Sequence, residues 1–398
     1  MNELAVELIK AMGKALLNPI LYWLIIVSFI VSYRRVKEER KIFKQELFPI
    51  GAEFKGTLPI TLFGSILISL IMIMINTYFV GEIVFFLSVI LFVLSFIFGF
   101  KTLSAAYTLG LTFIVFKILE LFDNTLIENG LITAHSFSSI ALLIALFLFV
   151  EAYMYSKIKN ETSFPEILKS KRGSYLGIYH LQKASFVPFF VFMPSPVASS
   201  ITTMMPAVDF NEQQFSFVLI PFFTAFHHIV SGQLPETAAT QLKRNNMFLA
   251  FLILLLSFIS FYLPGLAFFA VLTALVGKWF IDYLILKEDR QKDFYFLELK
   301  DPLKIFAVIP NSPASHLGFQ VGDTIIKVNE QPVKSLEELN DQLNKVLYFP
   351  SFEVITKNRE VIVIENNKYR GNYEELGLVF ATNFEQKQDT NQLPTEEI

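Results

Sequence analysis

Pro310-Asn311-Ser312-Pro313-Ala314-Ser315-His316-Leu317-Gly318-Phe319, followed by Val321-Gly322-Asp323-Thr324-Ile325-Ile326-Lys327-Val328-Asn329, decides the fold of the C-terminal part of the chain. The run lies among segments whose periodicity is that of short strands. Residues 305–309, 324–328, 353–357 and 361–365 have the length and β-branched content of strands. Ser335-Leu336-Glu337-Glu338-Leu339 opens a helix that extends to about Val346, and Ser335 with Glu338 fits a capping box. A small β-rich module with one main helix is predicted over residues 294–384.

Everything before it is far more apolar. The chain has 398 residues, 53% of them hydrophobic and 44 of them Phe, with a mean hydropathy of +0.50. Its apolar residues fall in runs of about 17 to 22, long enough to span a bilayer. The predicted organisation is a polytopic α-helical membrane domain over 1–286, a charged linker over 287–293, the β-rich module, and a disordered tail over 385–398 rich in Gln, Glu, Asn and Thr. A net charge of -3 argues against nucleic-acid binding. The absence of Cys removes thiol catalysis and Cys-ligated metal. The first apolar stretch runs on to Tyr33 and meets Arg34-Arg35-Val36-Lys37, so it reads as a retained helix and not as a cleavable signal.

Nine candidate spans, for a range of seven to nine, cover residues 16–33, 58–78, 83–100, 103–122, 139–155, 186–206, 215–231, 247–263 and 266–286. Seven are continuous. The pair 186–206 and 215–231 contains Pro188, Pro194, Pro196, Pro206 and Pro221, and proline removes backbone donors that lipid cannot replace. These two are read as broken or re-entrant helices, crossing twice or not at all. Arg34, Arg35, Lys37, Arg40, Lys41, Lys44 and Lys55 mark one inner loop, and the basic residues of 156–185 mark another. Lys243 and Arg244 mark a third. The C-terminal module is then predicted on the cytoplasmic side. Lys117 with Glu120, and Lys278 with Asp282, fall on single helix faces, where pairing is favoured over an ion pathway.

A membrane enzyme would need its own signature. A zinc protease of the membrane requires His-Glu-x-x-His, and none of His135, His180, His227, His228 and His316 is followed by Glu. Adjacent His227 and His228 point to different faces and cannot easily share a metal. Ser195, Ser199 and Ser200 lie near these His in sequence but form no usable serine-protease pattern. A transporter reading draws on the interrupted spans, yet no second interrupted pair and no repeat is visible. No cofactor or small-molecule substrate is expected.

Ser312-Pro313-Ala314 and Gly322-Asp323 resemble the PDZ family of bacterial membrane and periplasmic proteins, with Leu317 where that family usually has Ala. The resemblance implies that Ser312-Pro313-Ala314 begins a short helix and Gly322-Asp323 turns the chain into the next strand. It also implies strand addition of a peptide beside a helix, with a backbone loop receiving the terminal carboxylate. Glu375-Leu376-Gly377-Leu378, followed by Val379 and Phe380, fits the loop pattern, and Leu339, Gln342, Leu343 and Val346 would line the helix side. Residues 302–305 are a rival loop that lacks the glycine. The competing reading makes 376–380 a closing core strand.

Asn18-Pro19-Ile20-Leu21-Tyr22-Trp23, followed by Ser32-Tyr33-Arg34-Arg35-Val36-Lys37-Glu38-Glu39-Arg40, resembles the MinJ family of division determinants in Bacillus-type bacteria. The resemblance implies a non-enzymatic scaffold at septum and poles, linking DivIVA-like and MinD-like proteins and other divisome membrane proteins. The basic stretch 34–55 could also attract anionic lipid. The alternatives are an intramembrane protease, or a regulator of one, and a transporter.

Overall fold

A computed structural model of the chain describes residues 11–380 apart from 14, 44, 76, 78, 80, 123–133, 170–174, 195–207, 211–212, 298–302, 346–349 and 366–372. The seven continuous spans are helices α1 (Pro19–Phe43), α2 (Leu58–Met74), α3 (Gly81–Phe98), α4 (Ala105–Phe122), α5 (Ala134–Tyr155), α6 (Pro235–Ser260) and α7 (Gly265–Arg290). By length and composition, α1, α3, α5, α6 and α7 could each cross a membrane, while Leu58–Met74 of α2 and Ala105–Leu119 of α4 are shorter apolar stretches. α5 has 78% of its apolar window buried, against 28–33% in the other four. It is the central helix, as expected of one that is apolar all round.

Two sequence expectations are corrected at helix ends. α6 starts at Pro235, so Lys243 and Arg244 sit within its first three turns and not in a loop. α7 runs on through Arg290, so residues 287–290 of the charged stretch are its last turn. Asp289, in that turn, accepts from the backbone of Ser231 at 2.7 Å and of Gly232 at 3.0 Å.

The larger correction concerns the proline-rich region. Its described residues form strands and not broken helices, and Pro196 and Pro206 lie outside the described residues. β1 (Phe164–Lys169), β2 (Tyr175–Phe186) and β6 (Phe223–Val230) form one antiparallel sheet, while β3 (Phe189–Pro194), β4 (Val208–Phe210) and β5 (Gln213–Ile220) form another. β2–β3 and β5–β6 are the two arms of one long hairpin, in register from Tyr179↔Val230 through Phe186↔Phe223 to Pro194↔Phe215. Pro188 and Pro221 stand at the joint between the sheets, where Val187 donates to Phe222 at 2.9 Å. Proline cannot donate to a ladder, so Pro188 and Pro221 fall at this junction and Pro194 at the last position of β3.

The hairpin climbs along α2. Thr57, Thr61, Ser65 and Ser69 recur at every fourth position and so share one face of that helix. Thr57 donates to Ala184 O at 3.0 Å, Thr61 and Ser185 hydroxyls meet at 2.5 Å, and Ser69 accepts from Phe190 N at 2.9 Å. Beyond the end of α2, Phe79 donates to Phe192 O at 2.9 Å. A sheet edge in an apolar setting must have its backbone groups satisfied, and this ladder supplies partners. Phe189 and Phe222 press on Phe147 of α5 from the other side, with ring centroids 5.4 and 4.3 Å away. At the base of the hairpin Lys183 is buried and donates to Lys55 O at 3.3 Å; burial pulls its ammonium down to about 8, with Glu53 pulling the other way.

The C-terminal module comprises β8 (Ile305–Val308), α8 (Pro313–Leu317), β9 (Thr324–Val328), β10 (Gln331–Pro332), α9 (Leu336–Lys345), β11 (Ser351–Ile355), β12 (Val361–Glu365), α10 (Tyr373–Leu376) and β13 (Leu378–Phe380). Ser312 caps α8 by accepting from Ser315 N at 3.3 Å, and Gly318 closes it at φ 89°. The predicted capping box is present but shifted. Ser335 accepts from Glu338 N at 3.2 Å, while Glu338 reaches back to Lys334 N at 2.8 Å. β11 lies two residues earlier than predicted.

Ser69→Ala removes the acceptor of Phe190 N–H and leaves a buried donor unpaired, a loss of about 1–3 kcal/mol. Thermal melting in detergent should show a lowered midpoint for Ser69→Ala and a smaller change for Ser69→Thr.

Candidate peptide groove and buried polar network

Five of the nine predicted groove residues lie in one core. Leu339 and Leu343 of α9, Leu376 of α10, and Leu378 and Phe380 of β13 share a single hydrophobic cluster with Phe319, Ile325 and Phe352. Gln342 is half-buried on the helix, and Val346 lies outside the described residues. Val379 alternates to the other side and joins the large cluster of the helical region. β13 pairs antiparallel with β8, Leu378↔Val308 and Val379↔Ala307, and no described strand occupies its other edge.

Gly377 links α10 to β13 at φ 84°, a conformation that suits glycine. A Cβ there would come within 2.5 Å of Ser312 Oγ, the cap of α8. Its carbonyl accepts from Ile309 N at 3.0 Å. The glycine therefore has a packing duty whether or not its neighbours meet a peptide.

The module does not hang free. β7 (Phe296–Leu297), just after α7, pairs with Leu176 and Gly177 of β2 and continues the edge that β6 occupies. Tyr179 of β2 donates its hydroxyl to Phe306 O of β8. The Phe306 ring is fully buried, with centroids 5.1 Å from Tyr179 and 5.2 Å from Phe296. Gly177 makes room for this contact, since a Cβ there would run into the Phe306 ring and stand 3.0 Å from Phe296 Cβ. Lys357 of the module lies 3.6 Å from Glu236 at the start of α6.

A second constellation lies within the helical region. Lys278 of α7 is fully buried, 2.6 Å from Glu151 of α5 and 3.2 Å from Asp282 one turn along. The sequence-derived Lys278–Asp282 pair is present, but the shorter contact is with Glu151, a residue not singled out in the sequence. Asn246 at 3.3 Å and the Tyr155 hydroxyl at 3.1 Å complete the shell of the ammonium. Ser104 donates to Glu151 at 2.5 Å and Tyr107 to Asp282 at 2.9 Å. Three helices, α5, α6 and α7, thus meet on one ammonium, and Tyr107 of α4 joins through Asp282. Lys117 instead lies over the Phe137 ring at 4.1 Å; the side chain of Glu120 lies outside the described residues.

His227 and His228 do face opposite ways, as alternate residues of a strand must. His228 reaches the Tyr155 hydroxyl at 3.0 Å. His227 stands 2.7 Å from His180, which in turn bonds Glu166. Burial, then the neighbouring His180, hold His227 well below the usual imidazole range. Ser195, Ser199 and Ser200 lie outside the described residues. Among the described residues, no group of three or more His, Cys, Asp or Glu is arranged to hold a metal.

Lys278→Met strands two carboxylates and should cost about 3–5 kcal/mol; adding Glu151→Gln to the same chain should recover part of that loss in a denaturant titration. Gly177→Val should lift the module off β2, read as faster hydrogen–deuterium exchange in β7 and β8 with α5 unchanged.

A PDZ domain model matches residues 305–343. The chain is 26% identical over 380 residues to the cell division topological determinant MinJ of Bacillus subtilis (strain 168), covering 94% of this chain and 95% of that protein. It is 20% identical over 258 residues to a probable cell division topological determinant MinJ of Lacticaseibacillus paracasei, covering 63% of this chain and 68% of the relative. No solved structure matches. The similarity to the Bacillus subtilis protein runs through both the apolar helical region and the C-terminal PDZ domain of this chain.

Proposed function

We propose that this chain is a non-enzymatic membrane scaffold for division-site selection. The observation that carries the reading is a likeness to a named division determinant that spans helices and PDZ domain together. In this role the helical region, residues 1–286, anchors the PDZ domain of residues 294–384 at the cytoplasmic face, with 287–293 joining them and 385–398 as a tail. The bridged partners are a DivIVA-like polar protein and a MinD-like inhibitor, so that septation is kept at mid-cell; other divisome membrane proteins are further partners. Docking on β2 supports the scaffold reading, because a domain held in fixed orientation presents its binding edge at a set height and angle.

For the groove, the edge of β13 that no described strand occupies is the proposed place for an extended peptide, with Leu376, Gly377 and Leu378 at its carboxylate end and Gln342 on the helix side. Anionic lipid at the basic stretch 34–55 would add a weak surface attraction.

A fluorescent fusion to the full chain tests the role. Enrichment at septa and poles that disperses when the DivIVA-like protein is removed is the expected result. A uniform membrane signal indifferent to that removal would overturn the reading.

A further inference from the structure

A cavity of about 480 Å³ opens where α1, the end of α3 and the β1-β2-β6 sheet meet. Its wall is apolar and belongs to the helices, with Trp23, Val27 and Val31 on α1 and Phe96 and Ile97 on α3. Trp23 is pinned there, its indole N–H donating to Ser95 Oγ at 2.9 Å and its ring 4.6 Å from that of Phe92. The floor is polar and belongs to the sheet: Glu166 on β1, His180 and Gln182 on β2, and His227 on β6. The change from wall to floor falls where α1 passes from apolar residues to Arg34 and Arg35, the depth of lipid headgroups. The volume lies within the range of ligand pockets, roughly 300–1,000 Å³.

Three polar groups stand at this boundary, one of them a buried atom without a partner. Gln182 is 6% exposed, and its Nε2 has no hydrogen-bond partner. A buried amide donor without an acceptor costs free energy unless something fills the gap. Arg34 lines the cavity and is exposed. Its neighbour Arg35 is fully engaged by Glu39 at 2.5 Å, Glu53 at 2.8 Å and the Pro49 carbonyl at 2.9 Å. Glu166 meets His180 Nε2 through Oε2, and its side chain remains partly exposed toward the cavity. Two donors and one carboxylate oxygen therefore address the same cavity, which also carries Glu38 and Glu39 at its rim.

We propose that this cavity is a binding site for a phospholipid whose headgroup joins a phosphate to a primary ammonium. The phosphate takes the hydrogen bonds of Gln182 Nε2 and Arg34, the ammonium donates to Glu166 Oε1, and one acyl chain lies along Trp23, Val27 and Phe96. A purely anionic head would meet the carboxylates of Glu38, Glu39 and Glu166. A quaternary ammonium has no N–H to give to Glu166. The site is separate from the PDZ groove and stands whether or not the scaffold reading does.

The chain has two tryptophans, so Trp279→Phe leaves Trp23 as the sole reporter. The full-length variant is reconstituted in phosphatidylcholine vesicles holding an equal minor share of chain-brominated lipid with an ethanolamine, choline or glycerol head. The expected result is that the ethanolamine lipid quenches Trp23 more than the other two, and that the excess is lost in Gln182→Leu and in Glu166→Gln. Gln182→Leu also removes the unpaired amide, so its melting midpoint should not fall, which separates lost binding from lost folding. Equal quenching by all three heads, strongest quenching by the glycerol lipid, or an excess that survives both substitutions would overturn the proposal.

Discussion

A β-hairpin in an apolar surrounding depends on finding partners for its outer edge, and here helix α2 provides them. Thr57, Thr61, Ser65 and Ser69 lie one turn apart, and three of the four bond across to the hairpin while Ser65 donates to the Thr61 carbonyl. Without that stripe the backbone N–H of Phe190 would lose the Ser69 acceptor, a cost of about 1–3 kcal/mol. The hairpin, once held, presents Phe189 and Phe222 to α5, and its base presents β2 to the PDZ domain. Ladder, central helix and docked domain are thus consecutive dependents of one polar face.

The buried ion cluster plays a complementary part. Hydrophobic packing alone does not fix the rotation of apolar helices about their axes, since one apolar face resembles another. Lys278, Glu151, Asp282 and Asn246 do, because the ammonium can be satisfied in one arrangement of α5, α6 and α7 only. Tyr155 and His228 extend that constraint to β6, so helices and hairpin share one registration point.

Much of this was legible in the sequence, and the misses have physical causes. Ser312-Pro313-Ala314 and Gly322-Asp323 announce the PDZ turns because caps and positive-φ turns demand particular residues at particular positions. Continuous apolar runs announce the helices for the same kind of reason. The proline-rich region misled because its strands are apolar on both faces, Phe-Phe-Val-Phe-Met in β3, which erases the alternation that marks a half-buried strand. Two signals pointed the right way: the β-branched and aromatic enrichment of residues 213–230, and the Thr57-Thr61-Ser65-Ser69 spacing, which is odd for a lipid-facing helix. Of the residues assigned to the groove, Leu339, Leu343, Leu376, Leu378 and Phe380 share one buried cluster, while Val379 faces the helical region. What spacing could not convey is that Glu151 answers Lys278 from another helix, or that Gly177 exists to admit Phe306.

The attachment of β7 to β2 has a mechanical consequence. A partner tugging on the PDZ domain in the plane of the membrane would not merely bend the end of α7. The load passes through the strand pair and the Phe306 contact into β2, and from there into an arm that is braced along α2 and α5. Traction applied at one small domain is distributed over the embedded body, so the molecule moves as a unit when it is pulled.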